Sequence, residues 1–150
     1  MTAETAKPLP DLERVFRNFQ LLDSWEERYK YIIQLGRKLP PLDKNFKTDA
    51  NKVRGCASQV WMVSEKISDD PLQVRFLAES DASIVSGLIA ILLIVYSNKT
   101  PQEIITIDIK DIFKRLGLEN HLSPTRTNGF YSMVEKIKLL AVQMVSGEES

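Results

Sequence analysis

The sequence predicts an α+β fold in which helices pack around a small three-stranded antiparallel sheet. Apolar residues recur at helical spacing toward both ends of the chain. Helix-opening caps punctuate it repeatedly. Only the middle third changes to a period of two, which confines the strands to one place.

The first helix follows from Leu12, Val15, Phe16 and Phe19, with Asp11 placed to cap it. The second opens on a capping box, Ser24-Trp25-Glu26-Glu27, in which the serine takes an orphan amide and Glu27 reaches back. Tyr29, Ile32 and Ile33 continue it, and Gly36 is read as its stop. The two helices are expected to form a hairpin, and Leu39-Pro40-Pro41-Leu42 then breaks helix.

Residues 59–66 are rich in Val, Trp and Met, and Ser68-Asp69-Asp70-Pro71 supplies turn chemistry. Leu72, Val74, Phe76 and Ala78 then alternate with Gln73, Arg75, Leu77 and Glu79, a half-buried strand with one lapse. An antiparallel pair results, and a third short strand is expected near residues 51–54. Ser80 and Asp81 stand where they can cap a helix through Ile84, Leu88, Ile91, Leu92 and Val95. That helix is apolar nearly all round and should be central.

In the last third, Thr100-Pro101-Gln102-Glu103 joins a cap, a proline at the first helical position and a returning glutamate. Asp108 caps a short helix ending at Gly117, and Ser123-Pro124 opens the final one. There Phe130, Met133, Val134, Ile137, Leu140, Ala141 and Met144 form one stripe. Residues 1–10 and 147–150 are expected to fray. No repeat or low-complexity linker divides residues 1–150, so one domain is expected.

Composition excludes several function classes. Twenty basic residues balance 20 acidic ones, so the chain has no overall field to attract nucleic acid or an anionic membrane. Residues 1–10 contain no apolar core of a signal peptide and no Arg-rich transit pattern. The longest greasy run, residues 87–96, is about half of the roughly 20 residues a membrane helix needs. One cysteine and one histidine argue against a disulfide framework, a CxxC redox pair and a protein-only soft-metal site, so no metal is expected. A lone thiol fits a reducing, cytoplasmic compartment.

The residue that draws attention is Cys56, in Val53-Arg54-Gly55-Cys56-Ala57-Ser58-Gln59. Gly55 permits tight backbone geometry before it, Ser58 and Gln59 offer hydrogen-bond donors, and Arg54 favours the reactive thiolate. A buried, inert cysteine acting as a small hydrophobe is an equal reading of the same spacing. His121 suits a nucleophile–base dyad with Cys56, or else an ordinary surface histidine. Arg126 lies at a helix start, where the dipole disfavours a cation, so an anion or salt bridge is expected there, with a solvated side chain as the alternative. Asp81 is accounted for as an N-cap. Trp25 and Trp61 are read as core or groove residues.

At Gly55-Cys56-Ala57-Ser58-Gln59-Val60-Trp61 the sequence resembles the SufE family of Fe–S metabolism associated, or cysteine desulfuration, proteins. Three further blocks follow the same pattern in order. They are Trp25-Glu26-Glu27-Arg28-Tyr29-Lys30-Tyr31-Ile32-Ile33 with Leu35-Gly36, Ser80-Asp81-Ala82 leading to Gly87-Leu88-Ile89-Ala90, and His121-Leu122-Ser123-Pro124-Thr125-Arg126 with Gly129. The resemblance covers residues 11–145. Ala57 stands where a glutamine is frequent, next to the thiol.

The resemblance implies a three-stranded sheet with surrounding helices, related to IscU-type scaffolds. It also implies a sulfur carrier that stimulates a PLP-dependent cysteine desulfurase of the SufS or CsdA type. Cys56 would receive the persulfide sulfur and pass it toward an Fe–S scaffold such as SufBCD. Asp81, His121 and Arg126 map onto positions near the acceptor or in the desulfurase contact. No cofactor of its own is implied, since PLP belongs to the partner, and a homodimer is left open. The expected resting place of Cys56 is a partly apolar pocket whose wall includes Trp61 and whose charge Arg126 stabilises. Two rivals stand beside this reading: a Cys56–His121 thiol hydrolase or transferase, and a binding module that activates the desulfurase with Cys56 structural.

Overall fold

Side-chain caps open five helices where the sequence placed them. Asp11 Oδ1 accepts from Arg14 N at 2.9 Å, Asp108 Oδ1 from Asp111 N at 3.1 Å, and Ser123 Oγ from Arg126 N at 3.2 Å. Ser24 with Glu27, and Thr100 with Glu103, form reciprocal capping boxes. Each such cap is worth about 1 kcal/mol, enough to fix where a helix begins.

The computed structural model describes residues 9–147, so the expected fraying of 1–8 and 148–150 lies outside it. Among the described residues the α-helices and strands run α1 (Leu12–Leu21), α2 (Trp25–Arg37), β1 (Val60–Asp69), β2 (Leu72–Ser80), α3 (Ser83–Tyr96), α4 (Pro101–Thr106), α5 (Ile109–Arg115) and α6 (Pro124–Val145). Short 3-10 turns occupy Lys44–Phe46, Asp49–Asn51 and Leu118–Asn120. Helices α1 and α2 meet where Phe19 packs edge-on against both Trp25 and Tyr31 and Asn18 Nδ2 donates to Tyr31 Oη.

The α+β class holds, but the sheet has two strands rather than three. β1 and β2 pair antiparallel from Val60↔Ser80 to Asp69↔Leu72, with an irregularity between Lys66 and Ser68. The expected third strand shrinks to one bridge, Lys52↔Trp61, with Val53 N donating to Val60 O at 2.8 Å. The cause is local. A 3-10 turn ends at Asn51 and a turn at Arg54–Gly55 follows, with Gly55 at φ 92°, which leaves Lys52 and Val53 alone extended. The far edge is touched in the same way, by Lys99 beside Val74.

Helix α3 is central, as its all-round apolar character demands. Residues from Gly87 to Leu93 are buried without interruption, as are Val95 and Tyr96. It packs on α2, on β2 and on α6, and each fully buried Leu or Ile contributes about 1.5–3 kcal/mol. Gly36 does not stop α2, which runs on to Arg37. Instead α2 crosses α3 backbone to backbone, and a Cβ on Gly36 would stand 2.6 Å from Gly87 N. One face of the hairpin, with Val60, Met62, Val74, Phe76 and Ala78, closes the core. Trp61 and its cross-strand partner Glu79 are half-buried on the alternating positions.

Candidate functional site

The chain reaches Cys56 through Gly55, whose positive φ turns the loop onto helix α6. The fit is tight, because a Cβ on Gly55 would collide with Ser132 Oγ. One turn N-terminal to Ser132, Cys56 Sγ donates to Gly129 O at 3.5 Å, and a Cβ on Gly129 would lie 3.5 Å from that sulfur. The thiol therefore sits on a helix face kept bare by a glycine.

Beside it is a cavity of about 30 Å³. Val85, Leu88, Phe130 and Met133 make its apolar wall, and Ala57, Ser58, Thr125 and Arg126 complete the rim. About 10–15 Å³ suffices for one water molecule, so there is space for an atom the size of sulfur next to Cys56 Sγ. Half-burial pushes the Cys56 thiol above its ordinary value, because desolvation disfavours the thiolate. Burial thus favours the neutral thiol, and the helix α6 side of the sulfur is shielded.

The far side of the loop is tied to the start of the α3 segment. Gln59 N donates to Asp81 Oδ1 at 3.2 Å, Gln59 Nε2 to Asp81 Oδ2 at 3.4 Å, and Asp81 N returns a bond to Gln59 O at 3.3 Å. Asp81 is thus not the expected cap: the N-cap of α3 is Ala82, without a side-chain bond. Ser80 Oγ accepts from Ala82 N instead.

The Fe–S metabolism associated domain of SufE matches residues 13–141 of this chain. The chain belongs to the SufE family. An uncharacterized SufE-like protein of Rhizobium meliloti is 48% identical over 132 residues, covering 87% of this chain and 94% of that protein. Another from Rhizobium etli is 45% identical over 132 residues, covering 87% and 88%. In fold, the chain is similar to the solution structure of a hypothetical protein from Thermus thermophilus, with a TM-score of 0.72 and 16% identity over 93% of this chain and 99% of that one. Membership in the SufE family associates the chain with Fe–S metabolism.

Within this SufE fold the sequence-predicted residues divide. Gly55, Ser58, Gln59, Asp81 and Arg126 gather at or beside Cys56. The Arg126 side chain has no carboxylate partner among the described residues, so the expected ion pair is absent; it is exposed, as the solvated alternative has it, and the residue borders the cavity beside Cys56. His121 is placed elsewhere: its ring stacks on Trp25 at 3.9 Å and its carbonyl accepts from Tyr29 Oη. It is not among the residues lining the Cys56 cavity, and neither is Trp61, whose ring carries Lys47 Nζ at 5.7 Å. Trp61 misses the cavity because strand alternation turns it away from its core-facing neighbours Val60 and Met62.

Val85, Leu88, Thr125, Phe130 and Met133 were not legible as site residues. They belong to the first turns of α3 and α6, and the helical periods that mark most of them as core do not say that the two helix starts converge on one loop. Among the described residues no helix is long and apolar enough to cross a membrane.

Proposed function

We propose that Cys56 accepts sulfur from the persulfide of a PLP-dependent cysteine desulfurase, of the SufS or CsdA type, and passes it on for Fe–S cluster assembly. The observation that carries this reading is the apolar cavity beside the chain's only cysteine, with room for one more sulfur. The Cys56 proton goes to solvent and the thiolate attacks the terminal sulfur of the donor persulfide. A sulfur–sulfur bond forms to Cys56 while the donor's breaks, and the donor leaves as a thiolate with no net oxidation. A second thiol nearby would attack the new persulfide and expel sulfide, so a solitary cysteine preserves it. The cavity limits oxidation of the terminal sulfur, and the Arg126 guanidinium favours its anionic form.

On this reading the loop swings outward on the desulfurase and returns loaded. The chain acts as one domain in the cytoplasm, needs no cofactor of its own, and delivers to a scaffold such as SufBCD. The test is transfer of labelled sulfur from the desulfurase to the wild type and to Cys56→Ser. Transfer should vanish in the variant while the two proteins still bind. Retained transfer would refute the acceptor role, and retained stimulation of the desulfurase would make Cys56 structural.

A further inference from the structure

We infer that a second cleft, between α1, the start of α2 and the end of α5, binds a compact carboxylate with an apolar body. It has a volume of about 160 Å³ and shares no lining residue with the Cys56 cavity. Phe16, Phe19 and Leu116 form its walls, and Gln20, Arg28 and Arg115 bring polar groups to it.

The two arginines carry the argument. Two cations lining one small cleft repel each other, yet neither has a carboxylate partner among the described residues. Both are nevertheless held in place by rings. Arg115 Cζ lies 4.0 Å from the Phe16 ring centre, and Arg28 Cζ lies 5.7 Å from that of Phe19 and 5.2 Å from that of Trp25. Arg28 Nε donates to Phe19 O at 3.0 Å, supporting the end of α1, and this uses one of five guanidinium donors. What remains on each is a planar fork of donors, a shape suited to bidentate contact with an oxyanion.

The walls and the volume narrow the class. A cavity of about 150 Å³ lined by apolar side chains accommodates a benzene ring, so this cleft is ring-sized. Phe16, Phe19 and Leu116 favour an apolar body over a second charged group. A carboxylate on such a body satisfies the arginines and the walls together, whereas inorganic phosphate satisfies the arginines alone.

Titration of the isotopically labelled full-length chain with benzoate at constant ionic strength, followed by NMR, tests this. Saturable shifts should appear at the Leu116 and Gly117 amides and the Gln20 side-chain amide, with a Kd on the order of 1 mM. Arg115→Gln and Arg28→Gln should each weaken binding about tenfold, and phosphate should bind about tenfold more weakly than benzoate. Arg115 is exposed, so its variant keeps the fold even if the loss of the Arg28 bond loosens α1. Absence of saturation, equal shifts with chloride, unchanged binding in Arg115→Gln, or phosphate binding as tightly as benzoate would each overturn the assignment.

Discussion

Asp81 and Gln59 clasp each other across the base of the Cys56 loop, with both carboxylate oxygens of Asp81 accepting from Gln59 and its amide returning a bond to Gln59 O. On the other side the loop leans on α6, through Gly55 against Ser132 and Cys56 against Gly129. The segment is therefore held at both ends, by polar bonds at an exposed base and by close packing at the tip. These two kinds of restraint differ in strength, and the exposed one is the natural release point.

Asp81→Ala should loosen the loop without unfolding the protein. It removes two exposed hydrogen bonds worth about 0.5–1.5 kcal/mol each, which translates into alkylation of Cys56 by iodoacetamide about tenfold faster. The melting temperature should fall by only a few degrees. An unchanged alkylation rate would show that the packing of Gly55 and Cys56 on α6, and not the clasp, restrains the thiol.

The same reaction should report the raised thiol pKa. Burial favours the neutral form, so the wild-type rate should climb with pH around a midpoint above that of a free cysteine. Asp81→Ala should bring the midpoint down toward the free value, since an opened loop hydrates the thiolate. A wild-type midpoint below the free value would mean that Arg126 outweighs desolvation.

Much of this architecture could be read from residue order, and what could not was set by contacts between distant segments. Ser24, Thr100, Asp108 and Ser123 announced their helices because a cap is a local event within four residues. Asp81 carried the same signature, yet its carboxylate serves Gln59, a residue 22 positions away. The third strand failed because two turns flank Lys52 and Val53, and only the hairpin partner decides how many residues pair. Cys56 itself stood out as the lone cysteine, whereas the cavity that gives it meaning comes from α3 and α6. Gly36 read as a helix stop for a similar reason, since its actual neighbour is Gly87 on another helix.

Two glycines now make opposite predictions for the same substitution. At Gly129 an added Cβ meets Cys56 Sγ at 3.5 Å, an ordinary contact, so Gly129→Ala should gain about 0.5–1 kcal/mol of helix propensity. It should also narrow the cavity and shorten the lifetime of a Cys56 persulfide. At Gly87 the Cβ would strike the Ile32 carbonyl, 2.7 Å from its carbon, so Gly87→Ala should cost about 1–3 kcal/mol by forcing α2 away from α3. Urea denaturation of both variants, with sulfur retention measured on the first, checks the pair. A Gly87→Ala protein as stable as the wild type would refute the close crossing.

Tyr96 supplies a last prediction, in which a lost polar group improves stability. Its hydroxyl is buried at the C-terminal end of α3 with no hydrogen-bond partner among the described residues. Burial, with Glu135 and Tyr131 adding repulsion, pushes its pKa up to about 12 from 10.0. The folded state therefore holds this proton more tightly than the unfolded chain does. Its contribution is fully present below pH 10 and is lost as the pH rises toward 12. Tyr96→Phe removes both the unpaired hydroxyl and its ionisation while keeping the ring. It should stabilise the protein by about 1 kcal/mol in urea titrations at neutral pH, and by more at about pH 10.5. A variant less stable than the wild type at neutral pH would mean that the hydroxyl bonds a buried water, and that the water belongs to the core.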